Sequence, residues 1–123
     1  MARVLVVDDH LDAARMCQML FESEGHQTRI AADGKAALEL FESFKPDFVF
    51  LDIALPGMDG YELAKTMRDR QQERRPNITA LTGWGDLAAT RLREAGIDSY
   101  FVKPVSIAVL REVIAGQDKS YTV

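Results

Sequence analysis

The run Phe48-Val49-Phe50-Leu51-Asp52-Ile53-Ala54-Leu55-Pro56-Gly57-Met58-Asp59-Gly60-Tyr61-Glu62-Leu63-Ala64-Lys65-Thr66-Met67 changes its period halfway along. Phe48 to Leu51 are continuously apolar, as in a strand covered on both faces. The segment from Leu55 to Gly60 is dense in turn residues. After it, Gly60, Leu63, Ala64 and Met67 recur at steps of three, one and three, the stripe of a helix lying against a sheet. A buried strand followed by a turn and an amphipathic helix is one βα unit, and such units assemble around parallel sheets. Asp52 stands immediately after the strand.

Four more units can be read on either side. Their strands are Arg3 to Val7, Gln27 to Ala31, Asn77 to Leu81 and Ser99 to Val102. The first helix is expected from Leu11 to Glu24, with a sheet-facing stripe of Ala13, Met16, Cys17 and Leu20 and with Gly25 as terminator. Ala37, Leu40, Phe41 and Phe44 form the stripe of the second. A fourth runs from Asp86 to Ala95 and ends at Gly96. The fifth spans Ser106 to Ala115, with Ser106 as N-cap and Gly116 as terminator. The pattern predicts an α/β fold of five parallel strands and five helices. Residues 1–116 make one domain, and 117–123, which lack periodicity, are expected to form a frayed tail or the stub of a linker. Arg68 to Arg75 reads as a solvated helix end and loop, because Asp69 and Glu73 interrupt its positive charge.

Composition narrows the function classes. The chain has 123 residues, 47% of them apolar, and 15 Lys+Arg against 19 Asp+Glu give a net charge of −4. That apolar content supports a core without covalent staples. Cys17 is the only cysteine, and His10 and His26 are the only histidines, so neither a disulfide framework nor a zinc-spaced cluster is available. Apolar runs of four residues are far below the roughly 18 that span a bilayer. The expected setting is cytoplasmic, with no membrane association, and the acidic balance argues against direct nucleic-acid binding.

In an open parallel sheet, ligands collect beyond the carboxyl ends of the strands. There the sequence places Asp8-Asp9 after the first strand, Asp52 after the third, Thr82-Gly83 after the fourth and Lys103-Pro104 after the fifth. Each has an ordinary explanation when taken alone, since an acidic pair can start a helix and a lysine suits any surface. Together they form one rim of three carboxylates, a hydroxyl and an ammonium. Clustered carboxylates repel one another and raise their pKa values unless a cation compensates. An all-oxygen donor set favours Mg²⁺, which commonly joins carboxylates to phosphate oxygens. Lys103, the Thr82 hydroxyl and the Gly83 amide would bind those oxygens. The isolated Asp52 suits the role of nucleophile, forming an aspartyl phosphate, while Asp8 and Asp9 hold the metal.

These residues resemble those of the receiver domain of two-component response regulators. The motifs are Val-Leu-Val-Val-Asp-Asp at 4–9, Leu-Asp-Ile-Ala-Leu-Pro-Gly-Met-Asp-Gly at 51–60, Ala-Leu-Thr-Gly at 80–83 and Tyr-Phe-Val-Lys-Pro at 100–104. The resemblance implies a flavodoxin-like, doubly wound sheet in the order 2-1-3-4-5. It implies that Asp52 is the phosphoacceptor, that Asp9 binds Mg²⁺ directly, that Asp8 acts mainly through water, and that the Ala54 carbonyl completes the metal ligands. Thr82 and Lys103 would bind the phosphoryl oxygens, and the Lys103-Pro104 peptide is expected to be cis. Tyr100 matches the family's switch aromatic, turning inward as Thr82 moves toward the phosphate. Ala54 and Trp84 stand where the family tunes water access to the acyl phosphate. The implied partners are a histidine kinase or histidine phosphotransfer protein upstream, and a protein effector or attached kinase domains downstream. Two alternatives are an aspartyl-phosphate-forming phosphatase and a degenerate receiver acting only as a binding module. The first lacks the second carboxylate two residues after the nucleophile, where Ala54 stands, and the complete Asp8, Asp9, Asp52, Thr82 and Lys103 set argues against the second.

Overall fold

The computed structural model describes residues 1–55, 57, 59–71, 74–83, 89–116 and 121–122. Its elements are β1 (Arg3–Val7), α1 (Leu11–Ser23), β2 (Gln27–Ala31), α2 (Gly34–Phe44), β3 (Phe48–Asp52), α3 (Gly60–Arg70), β4 (Asn77–Thr82), α4 (Ala89–Glu94), β5 (Ser99–Val102), α5 (Ile107–Ile114) and β6 (Tyr121–Thr122). The sheet order is β2-β1-β3-β4-β5-β6. The first five strands are mutually parallel, which gives the expected 2-1-3-4-5 arrangement. No helix among the described residues is long and apolar enough to cross a membrane.

Alternation along each strand divides the core in two. Leu5, Val7, Val49, Leu51, Ile78 and Ala80 face α2, α3 and α4, where they meet Ala37, Phe41, Leu63, Ala64, Met67 and Leu92. Val4, Val6, Phe50, Leu81 and Phe101 face α1 and α5, where they meet Ala14, Phe21, Leu110 and Val113. Both faces are therefore dry, as the continuous apolar strands require. Helix starts follow capping chemistry: Asp33 accepts from the Ala36 amide at 2.8 Å, Asp59 from the Tyr61 amide at 2.9 Å and Ser106 from the Ala108 amide at 3.1 Å.

Four expectations change in detail. On α1 the buried positions are Ala14 and Phe21, while Met16 is 61% exposed. The stripe is rotated by about one residue, because the Phe21 ring packs beside Phe50 with centroids 5.9 Å apart. Cys17 belongs to both registers, so spacing alone does not separate them. Secondly, β3 and β4 each run one residue further than read, taking Asp52 and Thr82 into the ladder. Thirdly, Tyr121–Thr122, expected in a frayed tail, pairs antiparallel with Ser99 and Tyr100 as β6. A two-residue strand is too short to leave a period in the sequence; 117–120 and 123 lie outside the described residues. Finally, Arg68 is not a solvated helix end, since its side chain is 13% exposed against Asp98. The expected start of α4 at Asp86 falls among 84–88, outside the described residues, and α4 is described as Ala89–Glu94.

Candidate functional site

The chain crosses from one side of the sheet to the other between β1 and β3, where Val7 pairs with Leu51. Strand order reverses at this place, and the crevice at the carboxyl edge of such a switch point is where open α/β sheets bind ligands. The register sets Asp8, one residue beyond Val7, beside Asp52, one residue beyond Leu51. Oxygens of Asp8, Asp9 and Asp52 all lie within 4.8 Å of one another. β5 brings the cation: Lys103 Nζ is 2.8 Å from Asp52 Oδ2. The Lys103 amide donates to the Thr82 carbonyl at 2.8 Å, anchoring the end of β5 to the end of β4. The Lys103-Pro104 peptide is cis, as expected.

Each carboxylate sits differently. Asp52 is buried, and its Oδ1 accepts from the Ala54 amide at 3.0 Å. Asp8 is nearly buried and its Oδ1 accepts from the His10 amide at 2.9 Å. Asp9 is exposed. Burial pushes the Asp8 carboxyl above its ordinary pKa, the neighbouring Asp52 and Asp9 charges add to this, and the His10 amide and Lys103 oppose it. Desolvation thus outweighs the repulsion that sequence reasoning put first. An ion that takes only oxygen ligands fits this donor set. Carboxylates this close, with one ammonium among them, leave uncompensated negative charge that a divalent cation neutralises.

Thr82 and Tyr100 stand apart from the carboxylate cluster, Thr82 as the last residue of β4 and Tyr100 within β5. The Thr82 hydroxyl donates to the Gly83 carbonyl at 3.1 Å. Tyr100 pairs with Ala80 across β4 and β5 and is half-buried against the α2–α4 core. Ala54 is exposed at the mouth of the site, and Trp84 lies outside the described residues. A groove of about 640 Å³ runs from Asp8, Asp9, Asp52 and Lys103 along Cys17 and Leu110 between α1 and α5. Burial raises the Cys17 thiol pKa, with the Asp8 charge adding to it, so the thiol stays protonated.

Besides Arg68 and Asp98, a second pair went unforeseen. Asp59, the α3 cap, also binds Arg91 of α4, with Nη2 2.6 Å from Oδ2. Burial works to raise the Asp59 carboxyl, but the Tyr61 amide and Arg91 outweigh it and hold the carboxyl below its usual range. An Asp directly before an apolar-periodic segment is a capping signal that the sequence carries but that was not read at Asp59. The arginine, 32 residues away, carries no such signal.

Fold and site define a doubly wound α/β protein with a pocket of three carboxylates and one lysine at its topological switch point. The sequence matches the response regulator receiver domain over residues 4–115. The chain belongs to that family, the signalling-switch domain of two-component systems. It is 34% identical over 113 residues to sporulation initiation phosphotransferase F of Bacillus subtilis strain 168, covering 91% of this chain and 90% of that protein. It is 35% identical over 102 residues to the DNA-binding response regulator MtrA of Mycobacterium tuberculosis H37Rv, covering 83% of this chain and 44% of that protein. The chain therefore spans less than half of MtrA. A CheY-like receiver domain structure from Methanospirillum hungatei JF-1 superposes with a TM-score of 0.84 at 29% identity, covering 95% of this chain and 93% of that one.

Proposed function

We propose that this receiver accepts a phosphoryl group on Asp52 from a phosphohistidine donor, in a histidine kinase or a histidine phosphotransfer protein, and passes the signal on through a changed protein-binding surface. The observation that carries this is the buried Asp52 carboxylate, with Oδ1 on the Ala54 amide at 3.0 Å and Oδ2 on Lys103 at 2.8 Å. Those two contacts orient the carboxylate without covering the groove beside it. A carboxylate oxygen attacks phosphorus, the donor's P–N bond breaks, and the imidazole leaves with the bonding pair and takes a proton. Such a transfer needs positioning and charge stabilisation more than covalent chemistry from its surroundings.

Asp8, Asp9, Asp52 and the Ala54 carbonyl are the residues that would hold Mg²⁺. When bound, Mg²⁺ supplies positive charge to the carboxylates and to the phosphoryl oxygens. Lys103 exchanges its Asp52 contact for a phosphoryl oxygen. The Thr82 hydroxyl turns from the Gly83 carbonyl toward another, and the Gly83 amide donates to the same group. Tyr100 follows Thr82 inward and alters the surface around α4, β5 and α5. Ala54 leaves the acyl phosphate open to water on its own side. The protein catalyses its own phosphorylation and dephosphorylation and turns over no external substrate. The output lies in a protein effector or in domains attached to the receiver.

The test is incubation of the chain with acetyl phosphate and Mg²⁺, followed by intact-mass measurement. A gain of one phosphoryl group that disappears in Asp52→Asn, and on chelation of Mg²⁺, supports the reading. Equal labelling of Asp52→Asn would overturn it.

A further inference from the structure

The loop that leaves Asp52 is cinched at its base. The Ile53 amide donates to the Leu81 carbonyl at 3.1 Å and the Gly60 amide to the Ile53 carbonyl at 3.3 Å. A Cβ on Gly60 would lie 2.6 Å from the Ile53 Cα, so the two backbones touch without an intervening side chain. Asp59, the residue before Gly60, uses both carboxylate oxygens. Oδ1 caps α3 through the Tyr61 amide at 2.9 Å, and Oδ2 receives Arg91 Nη2 at 2.6 Å. The same guanidinium lies 4.0 Å from the centroid of the Tyr61 ring, on a residue only 5% exposed. An isolated exposed ion pair contributes little. Here one guanidinium is fixed by a carboxylate and by a buried ring, both belonging to the start of α3. Its neighbour Leu92 is fully buried, so Arg91 and the α4 backbone move together.

We infer that Arg91 is a positioning residue that ties α4 to the Asp52–Gly60 loop, so that a change at Asp52 reaches α4 through the Asp59–Arg91 pair. The inference rests on the phosphoacceptor reading of Asp52 and adds a route by which its state is read. The contacts form one connected path: Asp52, Ile53, Gly60, Asp59, Arg91. Spatial connection becomes coupling only if breaking one link weakens the response at the far end while leaving the near end intact.

The experiment uses ¹⁵N spectra of the full chain with Mg²⁺ and beryllofluoride as a phosphoryl mimic, on wild type, Arg91→Ala, Asp59→Asn and Arg93→Ala. Asp59→Asn keeps a side chain able to cap α3 while removing the charge. Arg93 is exposed and has no ion pair among the described residues, so it serves as the control. In wild type and Arg93→Ala, amides at 52–55 and at 89–95 both shift. In Arg91→Ala and Asp59→Asn, the 52–55 shifts persist, while those at 89–95 shrink by about twofold or more, the remainder being carried through Thr82 and Tyr100. The double variant loses no more than either single one, because both cut the same link. Wild-type amplitudes at 89–95 in Arg91→Ala would overturn the coupling and leave the phosphoacceptor reading standing. A wild-type chain with no response at 52–55 would overturn both.

Discussion

At the scale of single residues, the pocket is a balance of charges around Asp8. Its carboxyl is raised mainly by burial, and this fixes the sign of two pH effects. The folded form holds the proton more tightly than the unfolded chain. Asp8 therefore favours folding at low pH, and that contribution is lost as pH rises through the folded value. In metal-free solution, Asp8→Asn removes this loss and raises the melting temperature at neutral pH relative to wild type. The same proton competes with a cation, so Mg²⁺ affinity in the wild type falls as pH is lowered toward the raised Asp8 pKa. Calorimetric titration across that range checks the second effect, and an affinity independent of pH would contradict it. The gathering of Asp8, Asp9, Asp52 and Lys103 on one rim was legible in the sequence because each stands at the end of an apolar strand or within two residues of it. The relation of Asp59 to Arg91 was not, because nothing in a linear string marks which solvent-facing arginine returns to a helix cap.

At the scale of elements, two junctions decide how well the site is held. The first is the contact of Gly60 with Ile53. A methyl there would meet backbone at 2.6 Å and 2.8 Å, and backbone yields far less readily than a flexible side chain. Gly60→Ala is expected to cost about 1–3 kcal/mol in chemical denaturation, as overpacking does. The second is Arg68 at the end of α3. Its guanidinium donates to the Gly96 carbonyl at 2.7 Å, the Pro76 carbonyl at 2.8 Å, Gln71 at 3.0 Å and Asp98 at 2.8 Å. Asp98 in turn accepts from the Ile78 amide and pairs with Arg75 at 2.6 Å. This fork joins α3, β4 and the turn between α4 and β5. Arg68→Ala should destabilise by about 1–3 kcal/mol, less than breaking a fully buried pair, because both side chains are partly exposed and Arg75 still partners Asp98. Arg68→Lys should restore little of it, since one ammonium cannot reach the partners a guanidinium spans. Thermal melts of the two variants check this. The sequence concealed Arg68 because a charged residue in a charge-dense helix end reads as solvated, and the α1 register because Cys17 fits either stripe.

At the scale of the whole molecule, the sheet has a binding end and a fastening end. The carboxylate pocket lies beyond the carboxyl ends of β1 and β3, while Arg68 and Asp98 close the amino ends of β4 and β5. The five parallel strands, the helix count and the rim of polar residues followed from the change between continuous apolar runs and helical spacing. Strand order did not follow from periodicity and came from the family resemblance. β6 was invisible because two residues carry no period. We propose that this fold assembles its carboxylates so that Asp52 alone receives phosphate. The most direct measurement is borohydride trapping after incubation with Mg²⁺ and acetyl phosphate, which reduces an aspartyl phosphate to homoserine, with the position read by peptide mass spectrometry. Homoserine is expected at position 52, dependent on Mg²⁺. Homoserine at position 8 or 9, or at no position, would contradict it.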